Sequence, residues 1–260
     1  MLLIRSILFN IAFYLNLALW LLAAMVTMVL PPRFLLKIAL CWAQTSLWWM
    51  RVIVGTRYEI KGTENIPPGG IIMAAKHQST WETFALVTVF RNPVYILKRE
   101  LTWLPFFGWC LLKLRMIPVD RGARSRALQA VTRRAKVELG QNGRQLMIFP
   151  EGTRRPAGAE PAYKYGVTHL YTELGVPCVP VALNAGLYWP RRSLIKRPGT
   201  IKVEIMPAIQ PGLDKAAFHA LLQEQIETAS NRLLADGLAE LDRLGVPAPV
   251  STRQEAQPSA

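Results

Sequence analysis

The chain opens on an almost unbroken apolar run. From residue 7 to residue 30 the only polar interruptions are Asn10, Asn16 and Thr27. At about 1.5 Å per residue this stretch reaches roughly 36 Å as a helix, more than the ~30 Å of a bilayer core. A cleaved signal peptide has an apolar core of only about 7–15 residues, so the pattern predicts a membrane anchor. Pro31-Pro32-Arg33 breaks it, and a second apolar segment follows over 34–54. There Lys37, Gln44 and Arg51 recur every seven residues, which on a helix is one polar stripe. Trp42, Trp48 and Trp49 are the amphipathic aromatics expected at headgroup depth. The pattern fits a helix lying in the interface, or one packed on the domain as a core helix.

Beyond this region short β-rich runs alternate with helical stretches. Expected strands are Val52–Ile60, Gly70–Ala75, Val94–Leu97, Met116–Val119, Gln145–Phe149, Pro177–Leu183 and Ile201–Met206. Expected helices are Trp81–Phe90, Ser125–Leu139, Gly166–Leu174 and Lys215–Leu234. This predicts an α/β domain, a central mixed β-sheet flanked by helices, preceded by an N-terminal two-helix membrane-associated segment. The expected boundaries are 1–56 for the helices, 57–245 for the catalytic domain and 246–260 for a disordered Pro/Ala/Ser/Gln-rich tail.

Charge narrows the class. The net charge is +14, and no Asp or Glu occurs before Glu59. A basic cluster runs from Lys113 to Lys136. Such a balance favours anionic lipid, an acidic carrier protein or phosphorylated substrates. Nucleic acid is not expected as a partner, because the chain has no zinc-finger spacing, no RNP-type motif and no purely basic helix. Cys41, Cys110 and Cys178 are odd in number and set among apolar neighbours, which reads as buried thiols in a reducing compartment. No metal-ligand spacing is present, so no metal is expected.

Two segments carry candidate chemistry. His77-Gln78-Ser79-Thr80-Trp81-Glu82 follows an apolar strand, and a neutral imidazole oriented by a carboxylate is a usual base for an alcohol. Five residues along a helix is about 500° of rotation, so the two side chains share no helical face. They meet only if His77 sits in a turn and a helix begins after it, with Ser79 as N-cap. Ser79 to Glu82 is also a capping box, in which Glu82 bonds the Ser79 N–H. The two roles are compatible. In the second segment, Phe149-Pro150-Glu151-Gly152-Thr153-Arg154, an apolar strand ends in a turn. Glu151 is suited to accept from a substrate hydroxyl, and the Arg154 guanidinium to hold a phosphate. Lys98 and Arg121 follow two further apolar strands and are additional candidate phosphate contacts, with a simple pairing of Arg121 with Asp120 as the alternative. His169 and His219 lie in helical stretches and read as packing or surface residues.

Four segments in order resemble the 1-acylglycerol-3-phosphate O-acyltransferase family. His77–Glu82 is similar to its His-x4-Asp motif, Gly108 through Arg121 to its second motif, and Phe149–Arg154 to its Phe-Pro-Glu-Gly-Thr-Arg motif; Val176–Val181 resembles its fourth. The two-helix N-terminus is similar to that of bacterial members. The resemblance implies His77 as general base, Glu82 as its orienting carboxylate, and Lys98, Arg121, Glu151, Gly152, Thr153 and Arg154 at the substrate. It implies acylation of lysophosphatidic acid by an acyl carrier protein or coenzyme A thioester, with no cofactor and no metal. The lipid bilayer would be a partner, and the expected location is the inner membrane with the catalytic domain on the cytoplasmic face. Another lyso-lipid acceptor, such as a lyso-ornithine lipid, or a non-catalytic lipid-binding protein stay open as alternatives. One departure matters: Glu82 stands where the family usually has aspartate.

Overall fold

The computed structural model describes residues 1–120 and 124–249. Two helices lead the chain, α1 (Leu2–Val26) and α2 (Pro32–Trp49). The remainder runs β1 (Thr56–Lys61), β2 (Ile71–Ala75), α3 (Trp81–Ala85), β3 (Pro93–Lys98), α4 (Phe107–Lys113), β4 (Ile117–Val119), α5 (Arg124–Gly140), β5 (Gln145–Ile148), α6 (Gly166–Leu174), β6 (Cys178–Leu183), α7 (Ala185–Tyr188), β7 (Gly199–Ile205) and α8 (Lys215–Arg243). The strands form one sheet in the order β1-β7-β6-β2-β5-β3-β4. Adjacent strands are parallel except β6 and β7, which makes the sheet mixed.

The strands at the centre are apolar along their whole length. Every residue of β2 and of β6 is buried, as required where both faces of a parallel sheet are covered. On the other side of β6, β7 alternates buried and half-buried positions, and α8 packs its Phe218, Leu222, Ile226 and Leu233 into the core. Asp214 caps α8 by accepting from the Ala216 and Ala217 N–H groups.

Register decides where the chemistry sits. β2 lies beside β5, with Ala74 opposite Ile148. The segments that leave these two strands, 76–80 and 149–155, therefore emerge side by side at the carboxyl edge of the sheet.

The first strand is shorter than its composition suggests. Residues 50–54 form a π-helical turn that continues α2, with Met50 and Val54 buried, and Gly55 at φ +88° ends it. The β-branched run 52–54 thus packs as helix, and β1 begins at Thr56. The expected helix 81–90 divides into α3 and a 3₁₀ turn over Leu86–Thr88. α8 runs nine residues past Leu234 because its inner face stays packed, Gly237 against Asn184, Leu187 and Tyr188, and Leu241 in the core. The short helices α4 and α7 have no counterpart in the sequence-based expectation. Most of the expected tail, from residue 250 onward, lies outside the described residues.

Helix α1 is long and apolar enough to cross a membrane. One face does not stand free. Ser6, Phe9, Phe13, Asn16 and Ala24 are buried along it. Near its start, Ser6 Oγ donates to the Lys196 carbonyl and Asn10 Nδ2 to that of Leu194. Phe13 packs on Trp42, Phe84 and Trp189 at ring distances of 6.0, 5.7 and 5.2 Å. The polar stripe Lys37, Gln44 and Arg51 on α2 and its π-helical extension faces solvent, as expected. Trp48 is exposed too, but Trp42 turns inward onto Phe84 at 5.3 Å and serves packing.

Candidate active site

The turn after β2 brings His77 and Glu82 together. His77 Nδ1 lies 2.9 Å from Glu82 Oε1, and the Glu82 carboxylate is fully buried. The same oxygen accepts from the backbone N–H of Gln78 at 2.7 Å and of Ser79 at 2.6 Å. One oxygen therefore closes the capping box and holds the imidazole at once. The Ser79 hydroxyl accepts from the Trp81 N–H at 3.1 Å, so Ser79 makes the capping bond although the helix boundary falls at Thr80. With a carboxylate accepting at Nδ1, the proton sits there and Nε2 carries the basic lone pair. The ring stacks on Phe149 at 4.0 Å, which fixes its plane.

The loop after β5 is tied to this turn. The Arg155 N–H donates to the His77 carbonyl at 2.8 Å, and Arg154 NH1 donates to Thr80 Oγ1 at 2.5 Å. Gly152 adopts φ +65°, and a Cβ there would meet the Lys164 side chain at 3.2 Å. Glycine thus lets the turn form and lets Lys164 lie across it.

Glu151 occupies a different place from the one its sequence position suggests. It does not line the substrate cavity. Its side chain is fully buried and takes the Lys76 ammonium at 3.0 Å and the His77 N–H at 3.4 Å. Lys76 also meets Glu227 at 2.6 Å, and Tyr163 donates to that carboxylate. Burial pushes the Glu151 carboxyl above the usual carboxylate range, against the opposing pull of Lys76. A carboxylate this deep needs a counter-charge, and Lys76 supplies it. Glu151 is a brace under the His77 turn.

A cavity of about 830 Å³ opens between the sheet and α1, α2 and α4. Its walls are mainly apolar and include Leu17, Leu21, Ile38, Leu111 and Leu170. His77 lines it, with Gly152, Thr153, Arg154 and Lys98. The structure adds Lys164 and Arg191 to these; no spacing in the sequence points to either. Arg191 also donates to the Arg154 carbonyl at 2.7 Å. Lys98 pairs with Glu100 at 2.9 Å and is half-exposed. Arg121 lies outside the described residues.

A family model described as "Acyltransferase" matches residues 57–184. The 1-acyl-sn-glycerol-3-phosphate acyltransferase of Pseudomonas aeruginosa is 36% identical over 95% of this chain and 96% of that protein. The protein of that name from Saccharomyces cerevisiae is 30% identical over 62% of this chain and 54% of that protein. In fold, the crystal structure of the 1-acyl-sn-glycerophosphate acyltransferase of Thermotoga maritima superposes with a TM-score of 0.75. It covers 90% of this chain and 98% of that one at 22% identity.

Proposed function

Because this chain belongs to the 1-acyl-sn-glycerol-3-phosphate acyltransferase family, we propose that it moves a fatty acyl group from an acyl thioester to the free sn-2 hydroxyl of 1-acylglycerol-3-phosphate, giving phosphatidic acid. The observation that carries this reading is the His77–Glu82 pair set in the wall of a largely apolar cavity that also holds Arg154, Lys164 and Arg191. Chain-like apolar ligand, phosphate and base are each provided for in one space.

His77 Nε2 takes the hydroxyl proton as the substrate oxygen bonds to the thioester carbonyl carbon. Glu82 stabilises the imidazolium that forms. Collapse of the tetrahedral species breaks the C–S bond, and the imidazolium returns the proton to the thiolate. The reaction needs no cofactor and no metal in this scheme. The donor is an acyl carrier protein or coenzyme A thioester. Both are cytoplasmic, and in this reading the catalytic domain faces the cytoplasm at the inner membrane. Arg154 and Lys98, with Lys164 and Arg191, are the phosphate contacts of this reading, and the apolar wall receives the acyl chain.

The test is thiol release from an acyl thioester with purified protein and a panel of lyso-lipid acceptors, wild type beside His77→Ala. Release that requires lysophosphatidic acid and falls roughly 10²–10⁴-fold in the variant is expected. Undiminished release from His77→Ala would remove the proposed base. Release with another lyso-lipid alone would change the acceptor and keep the chemistry.

A further inference from the structure

The segment between β3 and β4 carries an apolar surface of which only Leu101 also lines the cavity. Leu101, Trp103, Leu104, Phe106, Trp109 and Leu112 are each between 37% and 65% exposed. On the other side of α4, Phe107, Cys110, Leu111 and Leu114 line the cavity. Apart from Lys113 at its end, the helix is apolar on both sides, a pattern that suits an apolar environment on both faces. A patch of this kind beside a ligand cavity marks an interaction site.

Its backbone is shaped to present these side chains. Phe106 sits at φ 62°, ψ −57°, and the Phe107 N–H reaches back to the Pro105 carbonyl at 2.6 Å. This is a γ-turn of the strained hand, a conformation a bulky residue adopts only when its surroundings impose it. Gly108 permits α4 to fold flat on the preceding 3₁₀ turn, since a Cβ there would lie 2.2 Å from the Thr102 carbonyl oxygen.

Two features identify what covers the patch. First, it is continuous with the N-terminal helices. Lys113 Nζ donates to the carbonyls of Thr27 at 3.0 Å and Leu30 at 2.6 Å, and to that of Met28, while Cys110 packs with Ala24 and Leu35. α4 is thus fastened to the tip of the α1–α2 hairpin, whose outer α1 face exposes Leu15, Leu19 and Leu22. Second, Trp103 and Trp109 stand among the basic residues Lys98, Arg99, Lys113 and Arg115, of which Lys98 pairs with Glu100, Arg99 with Asp120 and Arg115 with Glu138. Tryptophans beside basic residues suit the headgroup layer of an anionic bilayer.

We infer that the Leu101–Leu112 surface is a second membrane-docking element, seated in the same leaflet as the N-terminal helices and holding the cavity beside the lipid. This rests on the membrane reading above, and the test separates the two. Environment-sensitive fluorophores are placed one at a time at Trp109→Cys, Leu19→Cys and Leu244→Cys in a Cys41→Ala background. Cys110 lines the cavity and is replaced by alanine as well; Cys178 is fully buried, and burial raises it above the usual thiol range, so it stays unlabelled. Phosphatidylglycerol–phosphatidylcholine vesicles are then added. The expected result is a blue shift at 109 and 19, with quenching by bilayer-embedded brominated lipid, and no change at 244. A shift at 19 with none at 109 would overturn the inference and leave the membrane reading standing. No shift at either would overturn both. Concentration-dependent shielding of 109 without vesicles would assign the patch to a second copy of the chain and overturn the inference.

Discussion

At the scale of single residues, Glu82 explains how a longer carboxylate serves where the family usually has aspartate. Its Oε1 gathers three donors, the His77 ring and two backbone N–H groups, so the extra methylene is absorbed in a fully buried position, with Oε2 left without a hydrogen bond. Glu82→Gln keeps the shape and an acceptor for the cap but loses the charge that steadies the imidazolium. We expect kcat to fall roughly 10²–10⁴-fold, with circular dichroism unchanged, and single-turnover assays check this. A near-wild-type kcat would mean His77 is oriented without the charge. Arg154→Ala should raise the lyso-lipid KM about ten- to hundredfold, the worth of a charge-assisted hydrogen bond, and leave the thioester KM nearly alone. Equal changes in both would move Arg154 away from the phosphate.

Between elements, the buried ionic brace links the end of β2, the loop after β5 and α8. Lys76 is 2% exposed and faces both Glu151 and Glu227. Replacing it by methionine takes the shared ammonium from both carboxylates and leaves Glu151 only Arg155, 3.9 Å away, as counter-charge, which is expected to cost about 3–5 kcal/mol. Denaturant titration reads that loss, and Glu151→Gln added to Lys76→Met should recover part of it. A loss under about 1 kcal/mol would show that water already solvates the group. The element level also shows where local pattern misleads. Residues 52–54 are β-branched yet helical, because packing behind α2 outweighs their strand preference. α4 escapes a periodicity search for the same kind of reason, being apolar on every side.

For the whole molecule, the N-terminal helices and the catalytic domain share one core. Phe9 and Phe13 reach Trp189, each at 5.2 Å, so the aromatic cluster welds the hairpin onto the domain. Phe13→Ala should cost about 3–5 kcal/mol, and the loss should appear in the single melting transition of the domain; a separate early transition would show the hairpin to be independent. The same junction has a pH signature. Burial, with the neighbouring Arg197 charge, lowers Lys196 to about 8. Between that value and the unfolded lysine near ~10.4 the folded state binds fewer protons than the unfolded one, so stability rises with pH across this window. Melting temperatures of wild type should gain on Lys196→Met between these limits, and parallel curves would contradict the shift. The chain by itself determined most of the strands and longer helices, the long apolar helix at the start, and the meeting of His77 with Glu82, because these rest on periodicity and on hydrogen bonds spanning at most five residues. Tertiary structure alone decided that Glu151 turns to Lys76, that Lys164 and Arg191 join the cavity, and that two loops 74 residues apart lie side by side. Those outcomes depend on β2 pairing with β5, and contacts made across a sheet leave no repeating mark along the sequence that forms them.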